Sequence, residues 1–364
     1  LKRDAVNAAF ESAGIETRIQ NVTPCDKVLY YRNRMDYCVG WDGKVGLKEY
    51  GSWNRYLDLS TCMLLDKETP QILASVRDLM HELKLEPWDA RSQNGLLRYV
   101  VIRLGKNTSE RLVMLVVSDL KKIDEESRDK IREVLSPLCT SLLLGEQPLI
   151  TDISFVKTIL PLHGNPWLEE EVNGTIYRIA PNSFFQTNTG MAAKLQDAVL
   201  HYLSDIQHST FNIPHSILDL YCGLGFFGIA LAKQNPKIRV MGYELDAEAI
   251  KLAKHNAVVN GVADRCTFES GPAENLSWKD ENTDAVIIDP PRSGLHPRVI
   301  KTLLEMKPKR IVYVSCNFRR LVQELKEFLP HYRITEISAL DLFPQTPHVE
   351  VAVQMDYTNK DDSI

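Results

Sequence analysis

Short polar segments follow the apolar, strand-like runs in the second half of this chain of 364 residues. In the segment 219–228, Gly223, Gly225 and Gly228 have the G-x-G-x-x-G spacing, which lets backbone approach a ligand and opens a helix. Glu244 ends the next apolar run about twenty residues later, where a carboxylate can bind ribose hydroxyls. Together these features predict a nucleoside cofactor, either a dinucleotide or S-adenosylmethionine.

A second polar segment distinguishes between these cofactors. Asp289-Pro290-Pro291-Arg292 follows the apolar run 286–288, and its two prolines make a stiff turn with few N–H donors. A rigid, concave strand end suits the joint binding of a flat base and a cofactor. Turns of the type [DN]PP[YFWR] are typical of methyltransferases that act on nucleic-acid bases, so Asp289 favours S-adenosylmethionine.

Two further residues have the chemistry of a nucleophile and a base. Cys316 ends an apolar run and precedes Asn317 and the Arg319-Arg320 pair, whose charges favour a thiolate. A lone cysteine is more often a small core residue, but this position at a strand end argues against that interpretation. Glu350 stands at the start of the last apolar run, where a carboxylate can act as a general base.

Regular alternation of strands and helices positions these residues. The strand predictions are 216–220, 239–244, 285–289, 310–315 and 350–355, and the helix predictions are 227–234, 247–260, 297–306 and 319–328. This order predicts a doubly wound parallel sheet, in which ligands bind beyond the carboxyl ends of the strands.

The first half has a different texture and reads as an α+β domain. Strand-like runs between residues 30 and 50 are separated by Asp42-Gly43, a hairpin signal, and 71–83 and 125–138 have helical periodicity. We therefore predict an α+β RNA-binding domain over 1–187 and a catalytic domain over 188–364. Between Lys27 and Arg55, six basic residues interleave with aromatic residues, which is a pattern that suits RNA, although a solvated sheet face has the same composition.

The motifs resemble those of the S-adenosylmethionine-dependent RNA uracil-C5 methyltransferases, which modify ribosomal or transfer RNA. The resemblance rests on DLYCGLG (219–225), DPPRSGL (289–295), IVYVSCN (311–317) and LFPQTPHVE (342–350). It extends to FFQTN (184–188) and YRNR (31–34), and so covers nearly the whole chain. It implies a Rossmann-like class I methyltransferase domain preceded by the α+β domain.

The resemblance also implies roles for individual residues. Cys316 corresponds to the family's nucleophile and Glu350 to its proton acceptor. Departures occur at Phe226, where some relatives have a polar residue that contacts the cofactor, and at Phe318, where the family usually has proline. The cofactor residues implied are Gln186, Tyr221, Gly223, Gly225, Glu244 and Asp289, and the expected substrate contacts are Arg292, Asn317, Arg32 and Arg34.

The composition of the chain excludes some classes of protein and indicates its compartment. A net charge of −5 and a pI of about 6.0 exclude a histone-like binder, but not an enzyme with a local basic groove. Seven cysteines, an odd number without a CxxC pair, indicate a reducing, cytoplasmic compartment. No apolar run has membrane-spanning length, and no N-terminal export signal is evident. We expect a monomer without an obligate protein partner.

Cys62 suggests an additional cofactor. Many relatives bind an iron–sulfur cluster through three cysteines near the N-terminus and a fourth in a context like Asp58-Leu-Ser-Thr-Cys62. We expect a cluster here only if residues before Leu1 supply the other three ligands, with an RNA-binding barrel as a further expected upstream element. Otherwise Cys62 is a core thiol.

Three other functions fit parts of the pattern. An adenine or guanine amino methyltransferase shares the glycine turn and the DPP segment but needs no nucleophilic cysteine. A hydride-transfer enzyme would use the glycine turn for a dinucleotide. A non-enzymatic RNA-binding protein would retain the fold with Cys316 and Glu350 both dispensable.

Overall fold

The computed structural model describes residues 1–204, 216–275, 277–279 and 283–358. It divides into two units. The terminal unit comprises residues 1–28, 172–177 and the chain from Phe184 onward, and the central unit comprises 29–171 and 178–183. The α-helices in the described part are α1 (Lys2–Ser12), α2 (Thr69–Glu82), α3 (Glu125–Leu135), α4 (Thr189–Ser204), α5 (Phe226–Gln234), α6 (Ala247–Val259), α7 (Pro297–Met306) and α8 (Phe318–Phe328).

The strands fall into three sheets among the described residues. They are β1 (Val22–Thr23), β2 (Arg34–Val39), β3 (Val45–Lys48), β4 (Tyr56–Asp58), β5 (Leu97–Leu104), β6 (Arg111–Val117), β7 (Ser141–Glu146), β8 (Thr158–His163), β9 (Leu168–Val172), β10 (Thr175–Ile179), β11 (Ser216–Leu220), β12 (Arg239–Glu244), β13 (Cys266–Ser270), β14 (Ala285–Ile288), β15 (Arg310–Ser315), β16 (Tyr332–Leu340) and β17 (Glu350–Tyr357).

The terminal unit is built on an eight-stranded sheet with the order β1-β16-β17-β15-β14-β11-β12-β13. Strands β11 to β15 are parallel, as the alternation predicts, and the chain reverses its direction of travel across the sheet after β13. The expectation of a wholly parallel sheet is wrong for β17, which is antiparallel to β15 and to β16. The physical reason is the segment 341–349, which contains no helix and so cannot form the crossover that parallel strands require.

Residues 1–28 also belong to the terminal unit, whereas the boundary at 187/188 groups them with the first domain. Val6 and Phe10 of α1 are buried in the same hydrophobic core as Leu321 and Leu325 of α8. Strand β1 pairs in parallel with β16. Helix α1 is short, and its partner helix α8 lies more than 300 residues away in the sequence. Local sequence patterns therefore give little indication of this packing.

The central unit is an α+β structure, as the first half of the sequence predicts. Its seven strands have the order β4-β3-β2-β5-β6-β7-β8, and all neighbours are antiparallel except β6 and β7. Along β2, residues alternate between half-buried and buried positions, so one face of this strand points into the core, whereas β5 is buried at every position. Helices α2 and α3 pack on that face through Ile72, Val76 and Ile131.

Candidate active site

The glycine turn between β11 and α5 has the backbone conformation that its sequence predicts. Gly223 and Gly225 have φ values of +53° and +81°, and Tyr221 has a φ of +64°, which is rare for a side chain of this size. A Cβ on Gly223 would meet no atom within 4 Å, so the turn leaves open space there. A Cβ on Gly228 would lie 2.6 Å from Val240 Cγ1, so this glycine serves close packing between helix and strand.

Glu244, at the end of β12, holds this turn in place. Its Oε2 accepts a hydrogen bond of 3.2 Å from the N–H of Gly223, and its Oε1 accepts one of 3.0 Å from the N–H of Asp246. Each carboxylate oxygen keeps a second lone pair. Glu244 can therefore bind ribose hydroxyls while it fixes the turn beside them.

Three carboxyl groups cluster at the neighbouring strand ends. Burial raises the pKa of Asp219 to about 8, and the charges of Asp289 and Glu244 add to this effect. Burial likewise raises the pKa of Asp289 and of Glu350, reinforced by Glu244 and Asp289 respectively. Asp219 Oδ2 accepts a bond of 3.1 Å from Gly228 N–H, and its buried Oδ1 has no hydrogen-bond partner in the described part of the chain. This acidic environment fits S-adenosylmethionine, whose sulfonium and amino groups are cationic.

The register of the sheet brings Cys316 and Glu350 together. Strands β15 and β17 are antiparallel with Ser315 opposite Val351, so the residue that follows β15 faces the first residue of β17. Consistently, burial raises the pKa of the Cys316 thiol, and the charges of Glu350 and Asp289 raise it further. The two residues that the sequence pairs as nucleophile and base thus lie at one edge of the sheet.

The cation beside Cys316 is Arg292. The charge of Arg292 lowers the pKa of Cys316 against the stronger effect of burial. Arg319 and Arg320, which the sequence analysis offers for this role, have other contacts. The Arg319 guanidinium lies 5.1 Å from the centre of the Phe318 ring, and Arg320 Nε donates a bond of 2.6 Å to Glu324. The sequence feature that could have indicated this cation is the turn in which Arg292 follows two prolines.

Asn317 has a structural role in this arrangement. Its side-chain oxygen accepts a bond of 3.3 Å from Arg320 N–H and so caps α8. Its Nδ2 donates a bond of 3.0 Å to the carbonyl oxygen of Arg292. Phe318, the departure from the family pattern, occupies the first position of α8 and is buried in the core. Proline favours the first position of a helix, but α8 begins at this position with phenylalanine instead.

The segment before Glu350 is held by a residue that the sequence analysis did not identify. Lys2 Nζ, on α1, donates hydrogen bonds to Asp341 Oδ1 (2.6 Å), to the carbonyl of Phe343 (3.0 Å) and to the carbonyl of His348 (2.9 Å). These bonds fix both ends of the loop that leads into β17. A lysine this distant in sequence gives no local sign of that contact.

The remaining cofactor residues lie around α4 and α5. Gln186 is buried shortly before α4 begins at Thr189. Phe226, the other departure from the family pattern, packs its ring against Tyr177 and Phe185. The carbonyl oxygen of Phe226 accepts a bond of 2.7 Å from the Tyr177 hydroxyl. The ring of Phe226 thus belongs to an aromatic cluster.

In the central unit, the basic residues proposed to contact RNA are engaged within the unit itself. Arg34 forms an ion pair of 2.7 Å with Asp36 and donates a bond of 3.1 Å to the carbonyl of Pro181. Arg32 donates from its backbone to Leu64 and from Nη1 to Met35 Sδ at 3.7 Å. Lys44, Lys48 and Arg55 also form ion pairs, with Asp42, Asp152 and Glu49. The exposed aromatic residues of this region are Trp41, Tyr50 and Trp53.

Cys62 is a buried thiol of the central core. Its sulfur accepts a bond of 3.0 Å from the Tyr37 hydroxyl, and it packs within the core beneath α2 and α3. The described residues contain no group of three or more His, Cys, Asp or Glu side chains placed to hold a metal ion. The iron–sulfur cluster therefore stays a prediction that depends on residues outside this sequence. No helix in the described ranges is long and apolar enough to cross a membrane.

Comparisons with known proteins agree with this site. A family model described as tRNA (uracil-5-)-methyltransferase matches residues 146–358. An uncharacterized RNA methyltransferase of Nanoarchaeum equitans is 35% identical over 336 residues, which are 92% of this chain and 71% of that protein. The tRNA (uracil(54)-C(5))-methyltransferase of Pyrococcus horikoshii is 33% identical over 334 residues, 92% of this chain and 76% of that protein.

A solved structure is similar over almost the same length. The crystal structure of Pyrococcus abyssi tRNA (uracil-54, C5)-methyltransferase in complex with S-adenosyl-L-homocysteine matches with a TM-score of 0.82 and 32% identity. The match covers 97% of this chain and 81% of that one. A ligand derived from S-adenosylmethionine in that structure favours this cofactor over a dinucleotide.

Proposed function

This chain belongs to the tRNA (uracil-5-)-methyltransferase family, and we propose that it methylates a uridine of tRNA through a covalent bond between Cys316 and the base. It is an S-adenosylmethionine-dependent RNA methyltransferase acting on C5 of uracil, and its terminal unit has the class I methyltransferase fold. The observation that carries the mechanism is the placement of Cys316 opposite Glu350, with the charge of Arg292 favouring the thiolate.

Cys316 makes the reaction feasible because uracil C5 alone is a poor nucleophile. The thiolate adds to C6, the C5=C6 double bond opens, and its electron pair moves onto C5 and O4. C5 can then attack an electrophilic carbon. Bound S-adenosylmethionine would supply that carbon as its sulfonium methyl group, with the S–CH3 bond breaking and S-adenosylhomocysteine as the neutral leaving group. Gln186, Tyr221, Glu244 and Asp289 are the residues proposed to hold it.

Glu350 completes the reaction. After methylation, C5 carries both the new methyl group and its original proton. The carboxylate of Glu350 takes this proton, the electron pair re-forms the C5=C6 bond, and the bond between Cys316 and C6 breaks to release the thiolate. General-base assistance of this kind contributes about 10²- to 10⁴-fold.

Arg292 and Asn317 remain proposed contacts to the substrate. Negative charge develops on O4 when the thiolate adds, and a donor beside it stabilises the adduct. Arg292 is exposed beside Cys316 and carries such donors. The Nδ2 of Asn317 already donates a hydrogen bond to the Arg292 carbonyl oxygen. We therefore favour Arg292 as the donor to O4.

The RNA substrate is proposed from the relatives. Two Pyrococcus relatives, at 33% and 34% identity, are named as methyltransferases of uracil 54 in tRNA, and we propose the same nucleotide here. The base must leave its stack to reach Cys316, at a cost of roughly a few kcal/mol. Contacts of Arg32 and Arg34 with RNA remain part of this proposal only if RNA displaces their present partners.

An RNA that traps the covalent intermediate tests the mechanism. We would incubate the protein with S-adenosylmethionine and tRNA transcripts containing 5-fluorouridine. Because fluorine at C5 cannot be removed as a proton, the enzyme should stall as an adduct that survives denaturation. Peptide mass spectrometry should locate the RNA on Cys316.

Matched controls make the result decisive. Cys316→Ala should form no adduct and Cys139→Ala, which changes another half-buried thiol, should form it normally. Ribosomal RNA containing 5-fluorouridine serves as the competing substrate. An adduct on ribosomal RNA alone would overturn the tRNA assignment. No adduct on either RNA, with S-adenosylmethionine still bound, would overturn the covalent mechanism.

A further inference from the structure

Glu324, on the second turn of α8, is a buried carboxylate with three donors around it. Its Oε1 accepts bonds from Arg320 Nε (2.6 Å) and from the backbone N–H of Leu295 (3.0 Å). Its Oε2 accepts a bond from the hydroxyl of Tyr313. The residue is 3% exposed. One side chain thus connects α8, strand β15 and the loop that follows β14.

The loop between β14 and α7 is shaped to fit this carboxylate. Gly294 has a φ of +82°, and its N–H donates a bond of 2.8 Å to the carbonyl of Pro291, which closes a turn. A Cβ at Gly294 would lie 2.2 Å from Glu324 Oε1, so only glycine lets the loop approach the carboxylate. Leu295, the next residue, is buried and donates its backbone N–H to Glu324.

The same loop carries Arg292, the cation whose charge favours the Cys316 thiolate. Two anchors fix the loop to α8, because Asn317 Nδ2 holds the carbonyl of Arg292 and Glu324 holds the N–H of Leu295. The third contact of Glu324 is with Tyr313, which lies three residues before Cys316 on β15. The carboxylate therefore ties the loop of Arg292 to the strand that ends at Cys316.

We propose that Glu324 is a positioning residue that sets the distance between Arg292 and the Cys316 thiol. This inference rests on the proposed role of Cys316 as the nucleophile. Glu324 touches neither nucleophile nor substrate in this arrangement, and it acts through the loop. Without it, Leu295 N–H and Arg320 lose their acceptor, and the loop keeps only the Asn317 anchor.

The test combines variants of Glu324 and Arg292. Glu324→Ala should lower kcat about 10- to 100-fold, as expected when a positioned group is misplaced by about 1 Å. Affinity for S-adenosylhomocysteine, measured by calorimetry, should stay unchanged, which also shows that the fold is intact. The rate of Cys316 alkylation by iodoacetamide, followed by peptide mass spectrometry, should rise only at higher pH than in the wild type. Of the charged groups around this thiol, Arg292 favours the thiolate, whereas Glu350 and Asp289 oppose it.

A double-mutant cycle separates positioning from general damage. If Glu324 acts through Arg292, then Glu324→Ala should add little to the alkylation defect of Arg292→Ala. Glu324→Gln should restore most of the rate, because its carbonyl can accept from Leu295 and Arg320 while its amide donates to the Tyr313 oxygen. Glu327→Gln, an exposed neighbour on the same helix, should behave as the wild type.

Three results would overturn the inference. Fully additive effects of the two alanine variants would mean that Glu324 does not act through Arg292. Equal losses in Glu324→Gln and Glu324→Ala would mean that the charge itself, not the anchor, is required. Loss of S-adenosylhomocysteine binding in Glu324→Gln or in Tyr313→Phe, which removes only one donor, would indicate a folding role. Alkylation needs no RNA, so these outcomes stand apart from a failure of the covalent mechanism.

Discussion

Asp219 and Glu350 of the terminal unit have different neighbours from Asp36 of the central unit. In the terminal unit, burial raises the pKa of Asp219 to about 8 and also raises that of Glu350, and nearby carboxylates reinforce both shifts. In the central unit, Asp36 is half-buried, with 30% of its side chain exposed, and burial has the same tendency at this residue. There the hydrogen bonds and charge of Arg34, with help from Ser154 and Arg103, outweigh it and hold the pKa of Asp36 below its ordinary value.

This difference assigns the two groups of acids to different tasks. An acid paired with arginine is ionised at neutral pH and anchors structure, as Asp36 anchors Arg34. An acid whose pKa is raised by burial takes up and releases its proton near neutral pH, so it can exchange a proton with a substrate. The terminal unit contains acids of both kinds, because Glu324 and Asp356 are paired with Arg320 and Arg310, whereas burial raises the pKa values of Asp219 and Glu350.

The two groups have opposite effects on stability as pH changes. Asp36 has a lowered pKa in the folded state, so its stabilisation is present above the unfolded pKa and is lost as pH falls below about 4. Asp219 has a raised pKa, so its contribution is greatest below the unfolded pKa and is lost as pH rises from about 4 to about 8.

Glu350→Gln should produce the largest effect of any change to these acids. Glutamine cannot take the C5 proton, so turnover should fall about 10²- to 10⁴-fold. Stability at neutral pH should not fall, because a neutral amide replaces an acid that is costly to ionise there. Methylation assays on tRNA and urea denaturation measure the two quantities.

The fate of the RNA identifies the step that Glu350→Gln blocks. Methylated RNA should accumulate as an adduct on Cys316 even without fluorine at C5, because release requires removal of the proton. If the variant lost turnover without any adduct, then Glu350 would act before the addition of Cys316, and the division of roles between them would be wrong.

Asp36→Asn should give the reverse result, with a loss of stability. Its amide nitrogen would face Arg34 Nη2 or Ser154, which both donate to the carboxylate now, and Arg103 would lose a counter-charge. We expect a loss of about 2 to 4 kcal/mol at pH 7 that shrinks below pH 4. Urea denaturation can be followed by fluorescence, since four of the five tryptophans lie in the central unit: Trp41, Trp53, Trp88 and Trp167.

An exposed acid of the same unit provides the control for Asp36→Asn. Asp78→Asn removes a carboxylate from the surface of α2, so its stability should match the wild type. An equal loss in both variants would show that net charge, rather than the arginine pair, sets the stability of the central unit.

Asp219→Asn should stabilise the terminal unit by a smaller amount. Asparagine resembles the protonated acid, so it keeps the bond from Gly228 N–H and removes the cost of holding a proton as pH rises. Its advantage over the wild type should grow from pH 5 to pH 8 and reach at least about 1 kcal/mol. Hydrogen exchange in peptides from β11 and β14 measures it, and a constant difference between the two pH values would contradict the raised pKa.

The candidate catalytic and cofactor residues could be predicted from the sequence because they lie at strand ends. Cys316, Asp289 and Glu350 each adjoin an apolar run, and the alternation of elements places the ends of such runs at one edge of a sheet. The family, the class I fold, and S-adenosylmethionine as cofactor are confirmed by the comparisons and the structure. The roles assigned to individual site residues stay predictions.

What the sequence did not reveal depends on long-range pairing. Strand β17 is antiparallel because the segment 341–349 contains no crossover helix. Lys2, near the start of the sequence, donates a hydrogen bond to the same segment. Arg292, and not the Arg319-Arg320 pair, reaches the thiol, because Glu324 and Phe318 engage the other two cations. Local sequence composition does not show which of several exposed arginines will lie beside a given thiol or carboxylate.

Asp58→Asn should have the smallest effect, although its ion pair is as short as that of Arg320 with the buried Glu324. Asp58 Oδ1 lies 2.6 Å from Arg77 Nη2, but 48% of its side chain is exposed. Water can solvate Arg77 once the charge is gone, and asparagine can still accept the bond from Val45 N–H. We expect a loss below about 1 kcal/mol by urea denaturation, reduced further at high salt. If this loss equalled that of Asp36→Asn, burial would not be what separates an anchoring acid from a surface one, and the contrast between the two units would rest on charge alone.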